Sequence, residues 1–165
     1  MSPRPLGVCF VCHGNICRSP TALAVMQVLV QRAGLQHAFS LDSAGVSDEH
    51  AGELPDRRSR SAGAARGYRL ESRARRFERD DFARFDAVIA LDHDNARRLR
   101  ALAPDEAARA KLRLLREFDP EQPGAHDVPD PWYGGAEGFE LVLDLCERAC
   151  AGLLAHLQQH RGLAR

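Results

Sequence analysis

The segment Leu6–Cys12, LGVCFVC, is almost wholly apolar, and this feature most constrains the fold. A short, nearly continuous apolar run is typical of a strand buried on both faces, as in a parallel sheet. Further strands are predicted at FSLDSAG near residues 39–45, at DAVIALD over Asp86–Asp92 and at KLRLL. Helical patterns lie between them. The alternation predicts an α/β protein with a doubly wound parallel sheet, in which ligands bind beyond the carboxyl ends of the strands.

Capping residues mark the first predicted helix. In SPTALAVMQVLVQRAG, Ser19 is the predicted N-cap, Pro20 the first helical residue and Gly34 the stop. A second helix is predicted at HDNARRLRALA, helical segments with breaks over residues 56–84, and one amphipathic helix from about Ala136. Residues 117–135 are rich in proline and glycine and are predicted to form a loop. We expect the 165 residues to form one domain over 1–165, without repeats or linkers.

The charge balance and the cysteine count limit the partners and the compartment. Lys+Arg and Asp+Glu both number 23, so we expect neither nucleic-acid binding nor membrane insertion. The ten arginines from Arg57 to Arg84 are interspersed with acids and are interpreted as a solvated face, with a docking patch for an acidic partner or nucleic acid as the alternative. No signal peptide is recognised. Five cysteines, an odd number, favour a cytoplasmic location over a secreted disulfide framework, and we assign Cys9, Cys146 and Cys150 to the core.

The loop between the first strand and the first helix has the composition of an anion cradle. A strand–loop–helix unit presents free backbone N–H groups and a helix dipole at one point. Gly14 and Asn15 tolerate the positive φ angles of a curled loop, and Arg18 can hold two oxygens of a phosphate-like dianion. Cys12 faces the same pocket as a candidate nucleophile, and Ser19 is placed to donate a hydrogen bond to its sulfur. The alternative is a buried strand cysteine followed by an ordinary turn.

This stretch resembles the signature C-x-G-N-x-C-R-S-P of the low-molecular-weight protein tyrosine phosphatases. Other features of that family recur in order downstream: DSAG at Asp42–Gly45, PDRR at Pro55–Arg58, RAR at Arg73–Arg75, DDF at Asp80–Phe82 and DPWYGG at Asp130–Gly135. The resemblance covers nearly the whole chain. It implies a four-stranded parallel sheet flanked by helices on both faces, a flavodoxin-like fold of the phosphotyrosine phosphatase I type. It implies no metal and no cofactor.

The proline-rich loop supplies a candidate proton donor. Cleavage of a phosphate ester needs an acid at the leaving oxygen, and Asp127 and Asp130 are both available. Pro131 restricts Asp130 to an extended conformation, and Trp132 and Tyr133 are suited to wall a slot for an aryl ring. By resemblance, Asp130 is the acid and the two aromatic residues shape the opening.

Together these residues predict metal-independent hydrolysis of phosphotyrosine in proteins and of small aryl phosphates. The Cys12 thiolate attacks phosphorus while Arg18 and the loop N–H groups hold the oxygens. Asp130 protonates the leaving phenol and then activates the water that hydrolyses the cysteinyl-phosphate. The expected partner is a phosphotyrosine-bearing protein, with a tyrosine kinase as one candidate. The predicted substrate contacts are His13, Gly14, Asn15, Ile16, Cys17, Ser19, Glu49, Trp132 and Tyr133.

Three positions depart from common residues of the resembling family. His13 replaces an apolar residue, Glu49 replaces an aromatic pocket wall, and Ser72 stands where some members have a histidine bonded to the loop asparagine. Ser43, the other support of that asparagine, is present. The differences bear on substrate preference, because Glu49 at the rim should repel acidic peptides and a protonated His13 should favour an anion.

Cys17 lies five residues after Cys12 on the same loop. In the resembling family this pair forms a reversible disulfide that protects the nucleophile from over-oxidation. A role as a small buried residue is the alternative.

Three other functions stay open. A thiol-dependent arsenate reductase shares the fold and the loop, but it needs a further cysteine pair, and no cysteine lies between Cys17 and Cys146. A protein-arginine phosphatase of this fold has threonine where this chain has Ile16, and isoleucine favours phosphotyrosine. A non-catalytic phosphate-binding module would have no need of Asp130.

Overall fold

The computed structural model describes residues 4–122, 124 and 126–161. Residues 1–3 and 162–165 of the expected domain, and residues 123 and 125 of the predicted loop, lie outside the described residues. In chain order, the strands and helices are β1 Leu6–Cys12, α1 Arg18–Arg32, β2 Phe39–Gly45, α2 Arg57–Ala65, α3 Asp81–Arg84, β3 Ala87–Ala90, α4 His93–Leu102, α5 Glu106–Arg109, β4 Leu112–Leu114 and α6 Ala136–Arg161. Two 3-10 turns cover Gln36–Ala38 and Leu115–Phe118.

The four strands form one parallel sheet in the order β2-β1-β3-β4. β1 lies between β2 and β3, and Cys12 at its carboxyl end is in register with Gly45 of β2. The predicted parallel α/β sheet is therefore confirmed. Because the strands are parallel, the loops after β1, β2 and β3 meet at one edge of the sheet.

Two hydrophobic cores cover the two faces of the sheet, and β1 contributes to both. Val8 and Phe10 pack in the core that holds α1 and α6. Cys9 and Val11 pack in the core on the other face, which also holds residues of α4 and α5. All seven residues of β1 are buried, which is why its sequence is apolar without alternation. Cys12 belongs to the same face as Val8 and therefore to the side of α1.

The start of α1 differs from the prediction, whereas its end confirms it. The helix begins at Arg18, and the N-cap is Cys17 rather than Ser19. The hydroxyl of Ser19 is engaged with neighbouring side chains, so it is not available to cap the helix. Pro20 is the third helical residue, where its missing N–H still costs no intrahelical bond. Gly34, with φ +72°, follows the last turn and closes it as a Schellman motif.

Most of the other predicted elements are confirmed. The arginine-rich region contains the separate helices α2 and α3, and α6 begins at Ala136. Cys9, Cys146 and Cys150 are fully buried, as expected for core residues. The predicted loop over residues 117–135 begins two residues later than expected, because a 3-10 turn extends to Phe118. No helix within the described ranges is long and apolar enough to cross a bilayer.

One contact between α6 and the preceding 3-10 turn depends on the absence of a side chain. A Cβ atom at Gly152 would lie 1.7 Å from the carbonyl oxygen of Phe118. We therefore expect Gly152→Ala to destabilise the protein by about 2–3 kcal/mol, since this backbone clash is not relieved by a rotamer change. Urea unfolding measures the difference.

Gly138, on the same helix, provides a matched control. A Cβ there would lie 3.4 Å from the Cβ of Pro131, which is an ordinary contact. Gly138→Ala should stabilise the helix by up to about 1 kcal/mol, because alanine has the higher helix propensity. Equal effects of the two substitutions would contradict the assigned packing.

Candidate active site

The loop after β1 leaves a set of backbone donors unused. The carbonyl groups of Cys12, His13 and Ile16 accept hydrogen bonds from Val46, Ser47 and Asp56, at 3.0, 3.0 and 2.7 Å. By contrast, the N–H groups of residues 14–17 donate to no described residue. They precede the first turn of α1, whose dipole adds positive potential. The loop is therefore built to receive an anion.

Asn15 holds this loop in a conformation that few residues adopt. It has φ +60°, and it is the only non-glycine residue with positive φ among the described residues. Its Nδ2 donates to Ser19 Oγ at 2.8 Å and to Ser43 Oγ at 2.9 Å, and its Oδ1 accepts from the backbone N–H of Arg75 at 3.1 Å. The side chain is buried with these bonds satisfied. The third contact thus comes from the backbone of Arg75, and the structure records none from Ser72.

Gly14 does not have the positive φ that the sequence suggested. Its lack of a side chain has another use, because a Cβ would lie 3.0 Å from the ring carbon Cδ2 of His50. Gly45 at the end of β2 has a similar role, since a Cβ there would lie 2.6 Å from the His13 carbonyl oxygen. Close approach, and not conformational freedom, explains both glycines.

Cys12 ends β1 with its sulfur directed to this loop. Its Sγ lies 2.9 Å from Ser19 Oγ, and the residue is buried apart from the surface it gives to the cleft. Ser19 Oγ also accepts from Asn15, so its position is fixed. The Ser19 hydroxyl has two possible acceptors for its single proton, the Cys12 sulfur at 2.9 Å and the Ala44 carbonyl oxygen at 3.3 Å.

Arg18 is buried at the base of the cleft and is oriented by one edge of its guanidinium. Nη1 donates to Asp92 Oδ2 at 2.6 Å and to the Val128 carbonyl oxygen at 3.0 Å, while Nη2 lies 3.7 Å from Asp130 Oδ2. Burial works against the charge of Arg18, but its electrostatic interaction with Cys12, its hydrogen bond with Asp92 and the carboxylates of Asp92 and Asp130 outweigh burial and raise the pKa of Arg18. Asp92 was missed by the sequence reasoning, although its place just after β3 is the kind of position where site residues occur.

Of the two candidate acids, the structure brings only Asp130 to the cleft. Its side chain is 48% exposed, and its Oδ1 accepts from the backbone N–H of Trp132 at 3.0 Å. Asp127 lies elsewhere, because its Oδ1 contacts the backbone N–H of His93 at 2.9 Å and the ring Nδ1 at 2.6 Å. The residues alone left both carboxyl groups available as the acid. Only Asp130 lies in the lining of the cleft, and this position makes it the candidate.

These groups surround an open cleft of about 410 Å³. It is lined by Cys12, His13, Gly14, Ile16, Cys17, Arg18, Glu49, His50, Asp130, Trp132 and Tyr133. Two predicted substrate contacts, Asn15 and Ser19, lie behind the loop and not in the lining. Tyr133 is 93% exposed and reaches outward from the rim. His13 Nε2 lies 3.5 Å from Glu49 Oε1, so the two departures from the family pattern face each other.

His50 is a cleft residue that sequence reasoning missed. Its ring centroid lies 5.8 Å from that of Trp132, and its Nδ1 lies 3.1 Å from Glu53 Oε2. It fills the space beside Gly14. No local motif marks this residue, because its place depends on the path of the segment after β2.

Arg58 connects the loop that carries Asp130 to the loop that follows β1. Its guanidinium donates to both carboxylate oxygens of Asp56 at 3.1–3.2 Å and to the Trp132 carbonyl oxygen at 3.2 Å. It also lies over the rings of Trp132 and Phe139, at 5.3 and 4.7 Å from the centroids. Since the N–H of Asp56 donates to the Ile16 carbonyl, one chain of contacts connects the two loops.

Cys17 is a buried free thiol at the edge of the cleft. Burial raises its pKa to about 12, although a hydrogen bond with Ser59 acts in the opposite direction. Its sulfur is therefore protonated at neutral pH. Cys9, Cys12, Cys146 and Cys150 are also free thiols.

Within residues 4–122, 124 and 126–161, no group of three or more His, Cys, Asp or Glu side chains is arranged to hold a metal ion. The charged groups of the cleft that can bind an anion are Arg18 and, when protonated, His13 and His50.

Two variants of Asn15 separate its hydrogen bonds from its backbone conformation. Asn15→Gly removes the three side-chain bonds but tolerates φ +60°, whereas Asn15→Ala also places a Cβ in the left-handed region. We expect phosphate to bind more weakly to both variants, measured as competitive inhibition of aryl phosphate hydrolysis or directly by calorimetry. The alanine variant should be less stable than the glycine variant by about 1 kcal/mol in urea unfolding. Unchanged phosphate binding in both variants would contradict the role given to Asn15.

Comparisons with known proteins identify the family of the chain. The family model described as low molecular weight phosphotyrosine protein phosphatase matches residues 7–163. A low molecular weight protein-tyrosine-phosphatase of Streptomyces coelicolor is 50% identical over 153 residues, which are 92% of this chain and 93% of the relative. The low molecular weight phosphotyrosine protein phosphatase of Sus scrofa is 38% identical over 148 residues, 89% of this chain and 92% of the relative.

A solved structure is similar throughout. The protein tyrosine phosphatase of Entamoeba histolytica, crystallised with Hepes in its active site, superposes with a TM-score of 0.90 at 38% sequence identity. The similarity covers 94% of this chain and 99% of that one.

Proposed function

This chain belongs to the low molecular weight phosphotyrosine protein phosphatase family and is a protein-tyrosine phosphatase, and from this premise we propose that it acts through a cysteinyl-phosphate intermediate on phosphotyrosine in proteins and on small aryl phosphates. One observation carries the proposal. A thiol, a guanidinium and a carboxyl group (Cys12, Arg18 and Asp130) face one cleft, beside backbone N–H groups that have no other partner.

Binding of the phosphate is the first step. The N–H groups of residues 14–17 and the guanidinium of Arg18 surround three of its oxygens. Asp92 and the Val128 carbonyl engage Nη1, so the opposite edge of the guanidinium, Nε and Nη2, is left for the ligand. Because the guanidinium is already held in place, it loses little further rotational freedom when it binds two phosphate oxygens.

Attack by Cys12 is the second step. The thiolate sulfur forms a bond to phosphorus while the bond to the tyrosine oxygen breaks on the opposite side. Asp130 gives its proton to that oxygen, so a neutral phenol leaves. Ser19, 2.9 Å from the sulfur, donates a hydrogen bond that stabilises the thiolate before attack and again when it leaves.

Hydrolysis of the intermediate is the third step. Asp130, now a carboxylate, takes a proton from a water molecule that attacks phosphorus, and the Cys12 sulfur departs as a thiolate. Half-exposure of Asp130 gives it access to both the phenol and the water. The groups that hold the phosphate remain the same in both chemical steps.

The walls of the cleft favour an aryl phosphate. Ile16 and Trp132 give it apolar surface, and the nucleophile lies at the base. An aromatic ring packs against such walls and brings its phosphate to the base, whereas a shorter phosphoserine gains less contact. We propose a phosphotyrosine-bearing protein as the partner, with a tyrosine kinase as one candidate. The five free cysteines support a reducing compartment such as the cytoplasm.

Two substitutions test the assigned roles in one assay. Cys12→Ser should abolish turnover of phosphotyrosine peptides in the presence of a chelator and a reductant. Asp130→Asn should lower kcat by about 10²–10⁴-fold for phenyl phosphate, and much less for p-nitrophenyl phosphate, whose leaving group needs little protonation. Asp127→Asn is the matched control and should behave like the wild type, because Asp127 faces His93.

The same assay distinguishes the alternatives. Near-normal activity of Cys12→Ser would overturn the mechanism, and an equal loss with both esters in Asp130→Asn would remove Asp130 as the acid. Faster turnover of phosphoarginine than of phosphotyrosine, or reduction of arsenate with thioredoxin, would replace the proposed reaction. Phosphate binding without any turnover would leave a binding module.

We propose a protective disulfide between Cys12 and Cys17. Peroxide oxidises the Cys12 thiolate to a sulfenic acid, and the Cys17 thiol condenses with it, forming the S–S bond and releasing water. After oxidation by peroxide, wild type should recover its activity on treatment with dithiothreitol. The Cys17→Ser variant should recover little, when its activity after treatment is compared with its own activity before oxidation. Cys9→Ala, on the other face of the sheet, is the control.

The burial of Cys17 gives this reaction a pH dependence. Because its pKa is raised to about 12, its reactive thiolate is scarce at neutral pH and becomes more abundant as the pH rises. Formation of the disulfide should therefore accelerate with pH. Full recovery of Cys17→Ser would contradict the proposal.

A further inference from the structure

The arginine-rich region divides into two groups in the structure. Six of its ten arginines form ion pairs with carboxylates: Arg58, Arg66, Arg69, Arg75, Arg76 and Arg84. The other four, Arg57, Arg60, Arg73 and Arg79, form no ion pair with any carboxylate of the described chain. The first group accounts for the interspersed acids. The second group retains its charge for other partners.

Three of the four unpaired arginines line one groove. Arg57, Arg60 and Arg73 face a surface depression of about 570 Å³. This groove is continuous with the active-site cleft, because Ile16 and Trp132 belong to the lining of both, together with His50. A peptide substrate whose phosphotyrosine occupies the cleft would therefore have its adjacent residues beside this groove.

The groove positions the arginines but does not neutralise them. Arg60 Nε donates to the Pro55 carbonyl oxygen at 3.0 Å, and Arg73 Nη1 donates to the Gly52 carbonyl oxygen at 3.2 Å. These neutral acceptors hold the guanidinium groups without cancelling their charge. Arg57 donates to no described residue and is exposed.

The carboxylates of the groove are already engaged. Glu53 lies 3.1 Å from His50 Nδ1, and Asp56 lies 3.1 Å from Arg58 Nε. The groove therefore holds three guanidinium groups that pair with no described carboxylate, against one carboxylate, Glu53, whose contact is a histidine ring and not an arginine. Since the whole chain has a formal net charge of zero, this is a local feature and not a general attraction for anions.

We propose that this groove, the Arg57–Arg60–Arg73 groove, binds acidic residues that flank the phosphotyrosine on one side of a protein substrate. The proposal rests on the proposed function and adds a substrate class to it. Carboxylates of the substrate pair with the three guanidinium groups while the phosphotyrosine occupies the cleft.

The preference should hold for one side of the phosphotyrosine only. Glu49 lines the cleft but not the groove, and it adds negative charge to another part of the rim. Acidic residues that leave the cleft past Glu49 meet repulsion, whereas those in the groove meet attraction. The repulsion of acidic peptides expected from Glu49 therefore applies only to the other flank.

Three phosphotyrosine peptides test the proposal. One has three glutamates before the phosphotyrosine, one has them after it, and one has serines at all those positions. We expect kcat/KM for one of the two acidic peptides to exceed that for the neutral peptide by about tenfold, because exposed ion pairs are individually weak and three act together. The ratio should fall towards one as the salt concentration rises.

Two triple variants of equal charge change locate the effect. In Arg57→Gln/Arg60→Gln/Arg73→Gln, the ratio of acidic to neutral kcat/KM should fall to about one. In Arg32→Gln/Arg79→Gln/Arg100→Gln the ratio should stay at its wild-type value, because those arginines are exposed, unpaired with described carboxylates and absent from the lining of the cleft and the groove. Circular dichroism and urea unfolding verify that both variants are folded.

Three results would overturn the proposal: no preference for either acidic peptide in the wild type, equal preference for both, or the same loss of the ratio in the two triple variants. Stronger inhibition by a short oligonucleotide than by a glutamate peptide of equal charge would assign the groove to nucleic acid instead. Absence of p-nitrophenyl phosphate turnover in the wild type would refute the proposed function itself, and is thereby distinguished from failure of the groove.

Discussion

The hydrogen bonds of Asn15 hold the conformation on which the rest of the site depends. Its left-handed backbone turns the loop so that the N–H groups of residues 14–17 are left free, and its side chain connects α1, β2 and the segment before α3. The backbone of Arg75 takes part in this network. The Arg75 side chain is held by ion pairs in which Nη2 lies 3.0 Å from Asp42 Oδ2 and Nη1 lies 3.0 Å from Asp81 Oδ2. A strained residue is stable here because the surrounding elements determine its position.

Electrostatic pairing assembles the other parts around that loop. Asp92 orients Arg18 from the end of β3, and Arg58 holds the acid loop through Asp56 and Trp132. Both arginines have carboxylate partners that fix their geometry, whereas the arginines of the Arg57–Arg60–Arg73 groove have none. Pairing thus orients Arg18 and Arg58 within the site, whereas the three arginines of the groove keep their charges unpaired with described carboxylates.

The parts of the site that are local in sequence could be predicted from it. Cys12, Asn15, Arg18 and Ser19 lie within eight residues of one strand–loop–helix unit, so their proximity follows from that unit. Their exact geometry also depends on distant segments, because Asn15 bonds to Ser43 and to the backbone of Arg75. The strands β1 and β3 could be predicted because burial on both faces makes them apolar. The assignment of Ser19 as an N-cap was wrong for a physical reason, since the site uses its hydroxyl for Asn15 and Cys12.

The contacts that were missed are made between segments distant in the chain. Asp92, His50 and Arg58 each contact the site through tertiary packing, and no periodic pattern marks them. The choice between Asp127 and Asp130 likewise depends on the course of the proline-rich loop. Asp92 shows why such contacts require the fold: its Oδ1 caps α4 by accepting from the Asn95 N–H at 2.7 Å, which is a local role, whereas its Oδ2 orients Arg18, which only the tertiary structure reveals.

The central claim is that Cys12 becomes covalently phosphorylated during turnover. Rapid mixing with p-nitrophenyl phosphate, quenching in acid and mass spectrometry of the proteolytic peptides test it most directly. The account predicts an increase of one phosphoryl group on the peptide that contains Cys12, formed in a burst together with the first equivalent of nitrophenol and absent from Cys12→Ser. Release of nitrophenol without this adduct, or an adduct on another residue, would contradict the account.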